Sequence, residues 1–441
     1  MDTTSNLRER DVRHLWHPYT EMSSFAKKEF PIIESAEGVF LHDTDGRALL
    51  DGIASWWCVN LGHSHPSLVA AIRDQAGKLQ NSILGGMSHP SAIELAERIA
   101  AITPEGLDHV FFAGDGSCAV EAALKISLQY WANVDERWRN RFICLEDGYH
   151  GDTLGAVGVG YVETFHKDLA EVIMPSYRAS SPHCAKCPCG KKPETCSVEC
   201  FDSMEQLIHE HHSETAAVIV EPLCQGAAGI RIYPDEYLVR LRRMCDEYGL
   251  LLIADEIAVG FGRTGSMFAC DHAGITPDIM TIGKGMTGGY MPMSAAVATN
   301  RIFCEFKQAG DRIRTFYHGH TYGGNPITSA VALAALDVYA DDNVLELMRP
   351  RTNGLRHGIS ELGLMLDGST ALTLGLIGVV EVNEQAGGIA RAARIASHAL
   401  DHGLFIRPLG PSVYLWPPLT VSEDELARML EILKDSVAET S

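Results

Sequence analysis

The sequence predicts an α/β protein built on a mostly parallel sheet, with a smaller α+β domain contributed by both chain ends. Three observations carry that expectation. Short, uninterrupted apolar runs recur through the middle of the chain, stretches of helical spacing lie between them, and glycine-rich turns follow several of the runs. Continuous apolar strands alternating with helices are what a parallel sheet covered on both faces requires.

Taken in order, Val39–His42 and Ala48–Asp51 are short N-terminal elements. His109–Ala113 (HVFFA) reads as a strand, followed by a glycine-rich turn and by Ala119–Trp131 at helical spacing. Arg141–Leu145, Ala216–Val220, Leu250–Ala254 and Ile279–Ile282 are four further apolar strands, and Asp235–Tyr248 is a polar helix between two of them. Ile377–Val382 is a strand and Glu423–Ala438 a closing helix. No internal repeat or low-complexity linker interrupts the series. The expected organisation is an N-terminal segment of the small domain over 1–62, a large domain over 63–334, and the rest of the small domain over 335–441.

With 441 residues, 46% of them hydrophobic, the chain can bury a large core, which excludes general disorder. Its 36 basic and 57 acidic side chains leave a net charge of −21, and such a surface repels nucleic-acid phosphates and anionic membranes. No run approaches the ~18–20 apolar residues of a membrane span. The opening MDTTSNLRERDVRHLW lacks the apolar core of a secretory signal. Most of the twelve cysteines sit singly in apolar segments, so a soluble, cytoplasmic protein is expected. Residues 181–200 depart from this pattern, with five cysteines and no apolar period. Four of Cys184, Cys187, Cys189, Cys196 and Cys200 would suffice for a tetrahedral zinc site. The other reading is a reduced loop with Cys196 and Cys200 on one face of a short helix, and the metal stays unknown.

Four features carry chemistry. Asp255 follows the run LLLIA, at the strand end where open α/β sheets place ligands; a helix N-cap or an ion pair with Arg263 is its plainer reading. Lys284 lies among Gly283, Gly285, Gly288 and Gly289, where a bulky group can approach and desolvation would make the amine nucleophilic. A solvated loop lysine is the alternative. The turn Ala113–Ser117 offers helix N-terminal amides to a phosphate. Tyr149, after the strand RFICL, offers a ring to stack on a flat heterocycle. Each feature is weak alone. Together, in this order and each at a strand end, they match what pyridoxal 5'-phosphate needs: a covalent lysine, an acid for the pyridine nitrogen, a stacking ring and a phosphate cup.

The stretches IADEIAVGFGRTG and TIGKGMTGG resemble the signature of the class III aminotransferases of fold type I. The likeness runs from Leu15–Thr20 to Arg407, Pro408, Pro417 and Pro418, nearly the whole chain. WHPYT, DGIASWWCVNLGHSHP, Ser127–Trp131, GYHGDT and IRPLG with VYLWPP are similar to the branch of that family that converts 8-amino-7-oxononanoate to 7,8-diaminononanoate in biotin synthesis. The resemblance implies that Lys284 is the Schiff-base lysine, Asp255 the partner of the pyridine nitrogen, and Tyr149 the stacking ring. Gly116 and Ser117 would then hold the phosphate. Thr321 in HGHTYGGNP would reach the phosphate of a neighbouring subunit, which implies a homodimer. Tyr19, Trp56 and Trp57 would line the substrate pocket, and Arg407 would bind a substrate carboxylate. Two adjacent tryptophans cannot both face one side of a strand, so at least one is expected to be structural.

The phosphate turn reads GDGS where relatives have DSGS, which leaves the binding amides in place. HGHTY is similar to the members that take nitrogen from lysine, whereas Ser55-Trp56-Trp57 is similar to those that use S-adenosylmethionine. S-adenosylmethionine is the expected donor, with lysine, or another class III omega-aminotransferase reaction, as the alternative. Rivals of another class are an aminomutase or decarboxylase on the same fold, and a non-catalytic zinc-binding interaction protein.

Overall fold

The computed structural model describes residues 4–192 and 195–440, so positions 193 and 194 of the cysteine-rich segment lie outside the described residues. Its centre is a seven-stranded sheet: β1 (Leu107–Ala113), β2 (Arg141–Leu145), β3 (Tyr177–Ala179), β4 (Thr215–Val220), β5 (Leu251–Asp255), β6 (Ile279–Ile282) and β7 (Ser294–Thr299). The strand order is β1-β7-β6-β5-β4-β2-β3. Strands β3, β2, β4, β5 and β6 pair in parallel, and β7 runs antiparallel to both β6 and β1. Every residue of β4, β5 and β6 is buried, which accounts for their unbroken apolar sequences.

Two strands of this sheet were not expected from the sequence. Strand β3 has only three residues. Strand β7 reads SAAVAT, and its alanines are poor strand formers; it is held extended because β6 and β1 zip onto both of its edges. The helix after β1 spans Gly116–Asn133, three residues longer at its start than the spacing suggested, because Asp115 caps it by accepting from the Cys118 amide at 3.0 Å. It lays Val120, Ala123, Leu124 and Trp131 on the sheet, and Trp131 Nε1 donates to the Ala216 carbonyl at 2.8 Å.

Both chain ends meet in a second sheet. Ile33–Glu37, Phe40–Asp43 and Ala48–Asp51 form an antiparallel run, and Leu404–Phe405 adds to Ala48–Asp51 in parallel. A third sheet holds Thr370–Leu374, Ile377–Glu381 and Ser412–Leu415. The closing helix, Glu423–Glu439, starts on a capping box made by Ser422 and Glu425. Arg263 joins these parts. Fully buried, it donates to Asn60 Oδ1 (3.1 Å) and to the carbonyls of Pro417 (2.7 Å) and Leu376 (3.3 Å), over the Trp416 ring. Burial among neutral partners pulls its guanidinium down to about 9.

All twelve cysteines are free. Cys196 lies in a loop and Cys200 in the 3₁₀ turn Glu199–Phe201. They do not share a helix as expected, because Val198 between them takes a left-handed conformation (φ 60°) that a right-handed helix cannot include. Among the described residues no group of three or more side chains is arranged to hold a metal ion. Burial, and then the neighbouring thiols, push Cys184 up to about 11 and Cys200 up to about 12, so both are neutral thiols at pH 7. The segment docks on the third sheet through His183–Glu381 (2.9 Å) and a Thr370 hydroxyl donating to the Ala185 carbonyl. Among the described residues no helix is long and apolar enough to cross a membrane.

Candidate active site

Because β1, β2, β4, β5 and β6 all run the same way, the segments after them crowd one edge of the sheet. There they enclose a cavity of about 210 Å³ lined by Gly116, Ser117, Tyr149, Asp255 and Lys284, together with Trp57, His150 and Glu221. Five residues singled out from sequence thus come together from four separate turns.

Each is held by identifiable contacts. The Asp115 side chain satisfies the Cys118 amide, while the amides of Gly116 and Ser117, at the start of the helix, need no intrahelical acceptor and are available to an anion. Gly151 adopts φ 118°, and a Cβ there would overlap the Ser117 hydroxyl, so only glycine lets the β2 loop close against the phosphate turn. Asp255 is buried. Its Oδ1 accepts from Thr281 Oγ1 and the Ile257 amide, each at 3.1 Å, and its Oδ2 lies 2.7 Å from His150 Nδ1. Arg263 makes no pair with it and the chain turns rather than starting a helix, so the two plainer readings of Asp255 are overturned. Lys284 is partly buried, with Nζ 4.8 Å from the Trp57 ring centre. Burial pulls its ammonium below the ordinary lysine range, against an opposing pull from Asp255. It is not a solvated loop lysine.

A larger cavity of about 980 Å³ shares Trp57, Tyr149 and Lys284 with the first, and adds Tyr19, Trp56 and Arg407 to its walls. The tryptophans lie on no strand. Ala54, Ser55, Trp56 and Trp57 all have positive φ (48°, 44°, 74° and 71°), a left-handed turn that costs L-residues ~1–2 kcal/mol each. Buried Asp51 holds it: its carboxylate accepts from the amides of Ile53 and Ser55 and from the Ser55 hydroxyl (2.7 Å), and touches His63 Nε2 (2.9 Å). The turn parts the two rings. Trp57 is 4% exposed, stacks on Trp416 at 5.1 Å and donates to the Tyr414 hydroxyl. Trp56 is 40% exposed, and the Arg407 guanidinium lies 4.7 Å from its ring centre while donating to the Tyr19 carbonyl at 2.8 Å. Thr321 is exposed and lines neither cavity.

The model of the family "Aminotransferase class-III" matches residues 23–437. The chain belongs to the class III aminotransferases. It is 38% identical to the adenosylmethionine-8-amino-7-oxononanoate aminotransferase of Geobacter sulfurreducens, over 98% of both proteins. With the protein of that name from Nitratidesulfovibrio vulgaris it shares 40% identity, over 98% of this chain and 82% of the relative. The crystal structure of the Methanocaldococcus jannaschii protein of that name superposes with a TM-score of 0.93 at 34% identity, covering 99% of each chain.

In this class III aminotransferase several site residues escaped the sequence reading. His150 adjoins Tyr149 in the motif, but its contact with Asp255 spans 105 positions. Glu221 follows an apolar strand just as Asp255 does, and that signal was there to be used; it accepts from the amides of Tyr149 (3.0 Å) and Gly226 (2.9 Å), and burial pushes its carboxyl up to about 7. Asp152 takes the Tyr19 hydroxyl at 2.6 Å and the Tyr149 hydroxyl at 2.9 Å. Burial, then the bond to Asp152, push Tyr19 up to about 12. Burial, then the bond to Tyr19, raise Tyr149 above the ordinary phenol range.

Proposed function

We propose that this aminotransferase binds pyridoxal 5'-phosphate, works as a homodimer and transfers an amino group from S-adenosylmethionine to 8-amino-7-oxononanoate. The observation that carries this reading is the pair of joined cavities. The smaller combines unpaired helix amides, a buried carboxylate and a desolvated lysine, a donor set that suits a flat, phosphorylated heterocycle. The larger joins an aromatic wall to the Arg407 guanidinium.

In this reading Gly116 and Ser117 bind the phosphate and Tyr149 covers the ring. Thr321, exposed in its own chain, serves the phosphate of the partner subunit. When bound, pyridoxal phosphate withdraws electrons from the bond between the substrate's Cα and its hydrogen. Asp255 keeps the pyridine nitrogen protonated, and His150 and Thr281 hold that carboxylate in place. Lys284 would be the residue that holds the cofactor covalently, and its amine would accept the proton that leaves Cα. Burial favours its neutral form, the one able to accept a proton. The oxo-acid has a long apolar chain ending in a carboxylate, which suits Tyr19 and Trp56 along the wall and Arg407 as a bidentate partner.

The donor is read from the same wall. A sulfonium is a fixed cation that aromatic faces attract by ~1–2 kcal/mol when water is excluded, and the adenine can stack. Tyr19 and Trp56 present such faces, 5.7 Å apart edge to face. Lysine would need a free carboxylate for its ammonium. The acidic residues on this wall are engaged: Asp147 with Arg231, Glu21 with the amides of Ser23 and Ser24, and Glu163 with the Tyr161 hydroxyl. In a single-turnover experiment, S-adenosylmethionine should change the absorption of the bound cofactor within seconds and lysine only slowly. The opposite order would leave a transaminase with lysine as its donor.

Arg407→Ala should raise KM for 8-amino-7-oxononanoate by about 10²-fold, the scale of a lost charge-assisted pair. An unchanged KM would remove Arg407 from the site.

A further inference from the structure

One buried side chain beside the larger cavity has no part in this chemistry. His166 is 3% exposed, and its Nε2 has no hydrogen-bond partner. Its other nitrogen is engaged: the Val162 amide donates to Nδ1 at 3.1 Å, so Nδ1 is the acceptor and Nε2 carries the proton. Asp152 Oδ1 lies 3.5 Å from this Nε2.

We propose that His166 is a positioning residue, whose Nε2–H keeps the Asp152 carboxylate turned toward the hydroxyls of Tyr19 and Tyr149. The inference rests on the aminotransferase reading of this pocket and adds a residue to it. Asp152 is half exposed, and without a donor behind it the carboxylate could swing into water and release both phenols. A buried donor without an acceptor costs free energy, so any small rotation of Asp152 toward His166 is favoured. Asp152 and His166 also stand at the two ends of a segment whose Val162, Glu163 and Phe165 form one side of the cavity, and Phe165 packs edge-on against Tyr19. Holding Asp152 therefore holds that wall to the tyrosine pair.

Two substitutions separate positioning from simple local support. In His166→Asn the amide oxygen can still accept from Val162, but no donor extends to Asp152. In His166→Gln the amide nitrogen reaches the place of Nε2, while the Val162 amide loses its acceptor. Both variants, loaded with cofactor, should unfold at nearly the wild-type temperature. His166→Asn should raise KM for both substrates by about tenfold with a much smaller change in kcat, and His166→Gln should restore most of the loss. Crystal structures should show the Tyr19–Asp152 contact kept in the glutamine variant and lost in the asparagine variant. The proposal is overturned if the asparagine variant keeps that contact and its KM values, or if the glutamine variant alone is impaired, as a mere cap on Val162 would require. Because the Tyr19–Asp152 contact is read without turnover, it decides the role of His166 even if the donor and acceptor assigned above are wrong.

Discussion

Replacing Lys284 with alanine is expected to lower turnover by about 10⁴-fold or more, the scale attached to losing both a covalent attachment and a positioned proton carrier. The reasons are specific to this site. Lys284 stands at φ 43° with Gly283 before it, and its Nζ projects to the Trp57 face, inside the cavity that also holds Asp255. Burial holds the amine below its ordinary pKa, which favours the neutral, nucleophilic form. No neighbouring side chain can take over, because Arg231 and Arg407 carry guanidinium groups and the other cavity residues are not amines. The variant should still bind pyridoxal phosphate through the amides of Gly116 and Ser117 and the carboxylate of Asp255. Borohydride reduction followed by peptide mass spectrometry should find the cofactor fixed to Lys284 in the wild type and nowhere in the variant. Undiminished turnover in Lys284→Ala would remove the mechanism.

Asp255→Asn is expected to lower the rate by roughly 10³-fold, as when a single preorganised electrostatic group is removed. Asparagine matches the shape of aspartate and leaves an oxygen for the Thr281 hydroxyl and the Ile257 amide, so the fold should be kept. What disappears is the negative charge that favours a proton on the facing nitrogen. The bound cofactor should therefore absorb at a shifted wavelength, and cofactor affinity should fall. Near-normal turnover with an unshifted spectrum would reduce Asp255 to a residue that only closes the end of β5.

The candidate site was legible to the extent that it is written in local patterns. Asp255, Lys284, Tyr149 and the turn at Gly116 and Ser117 each follow an apolar run closely, and a parallel sheet brings such positions to one edge whatever the loops do in detail. Arg407, Trp56 and Tyr19 carried no such signal and were reached only through resemblance. Strand β7 was missed because five small or polar residues around one valine lend no apolar pattern, and its extended state is imposed by the strands on either side. The cysteine-rich segment left a metal site open for a related reason: spacing is a property of the chain, and whether thiols converge depends on backbone turns such as the left-handed Val198.

The tryptophan pair marks the boundary most clearly. Its sequence required one ring to be structural if the segment were a strand, and Trp57 is the buried one, yet the segment is a left-handed turn. That conformation is too costly to arise locally; it exists because Asp51, on a strand paired with Leu404–Phe405, reaches back to hold it. The amino-acid sequence by itself thus determined that the sheet is mostly parallel, five of its seven strands and the strand-end residues that can carry chemistry, since these follow from neighbours in the chain. Only the tertiary structure decided which side chains restrain them: His150 on Asp255, Glu221 under Tyr149, Asp152 between two phenols, and Asp51 beneath the tryptophans. A hydrogen bond has direction and a reach of about 3 Å, and no periodicity in the sequence encodes which residues, tens or hundreds of positions apart, will satisfy it.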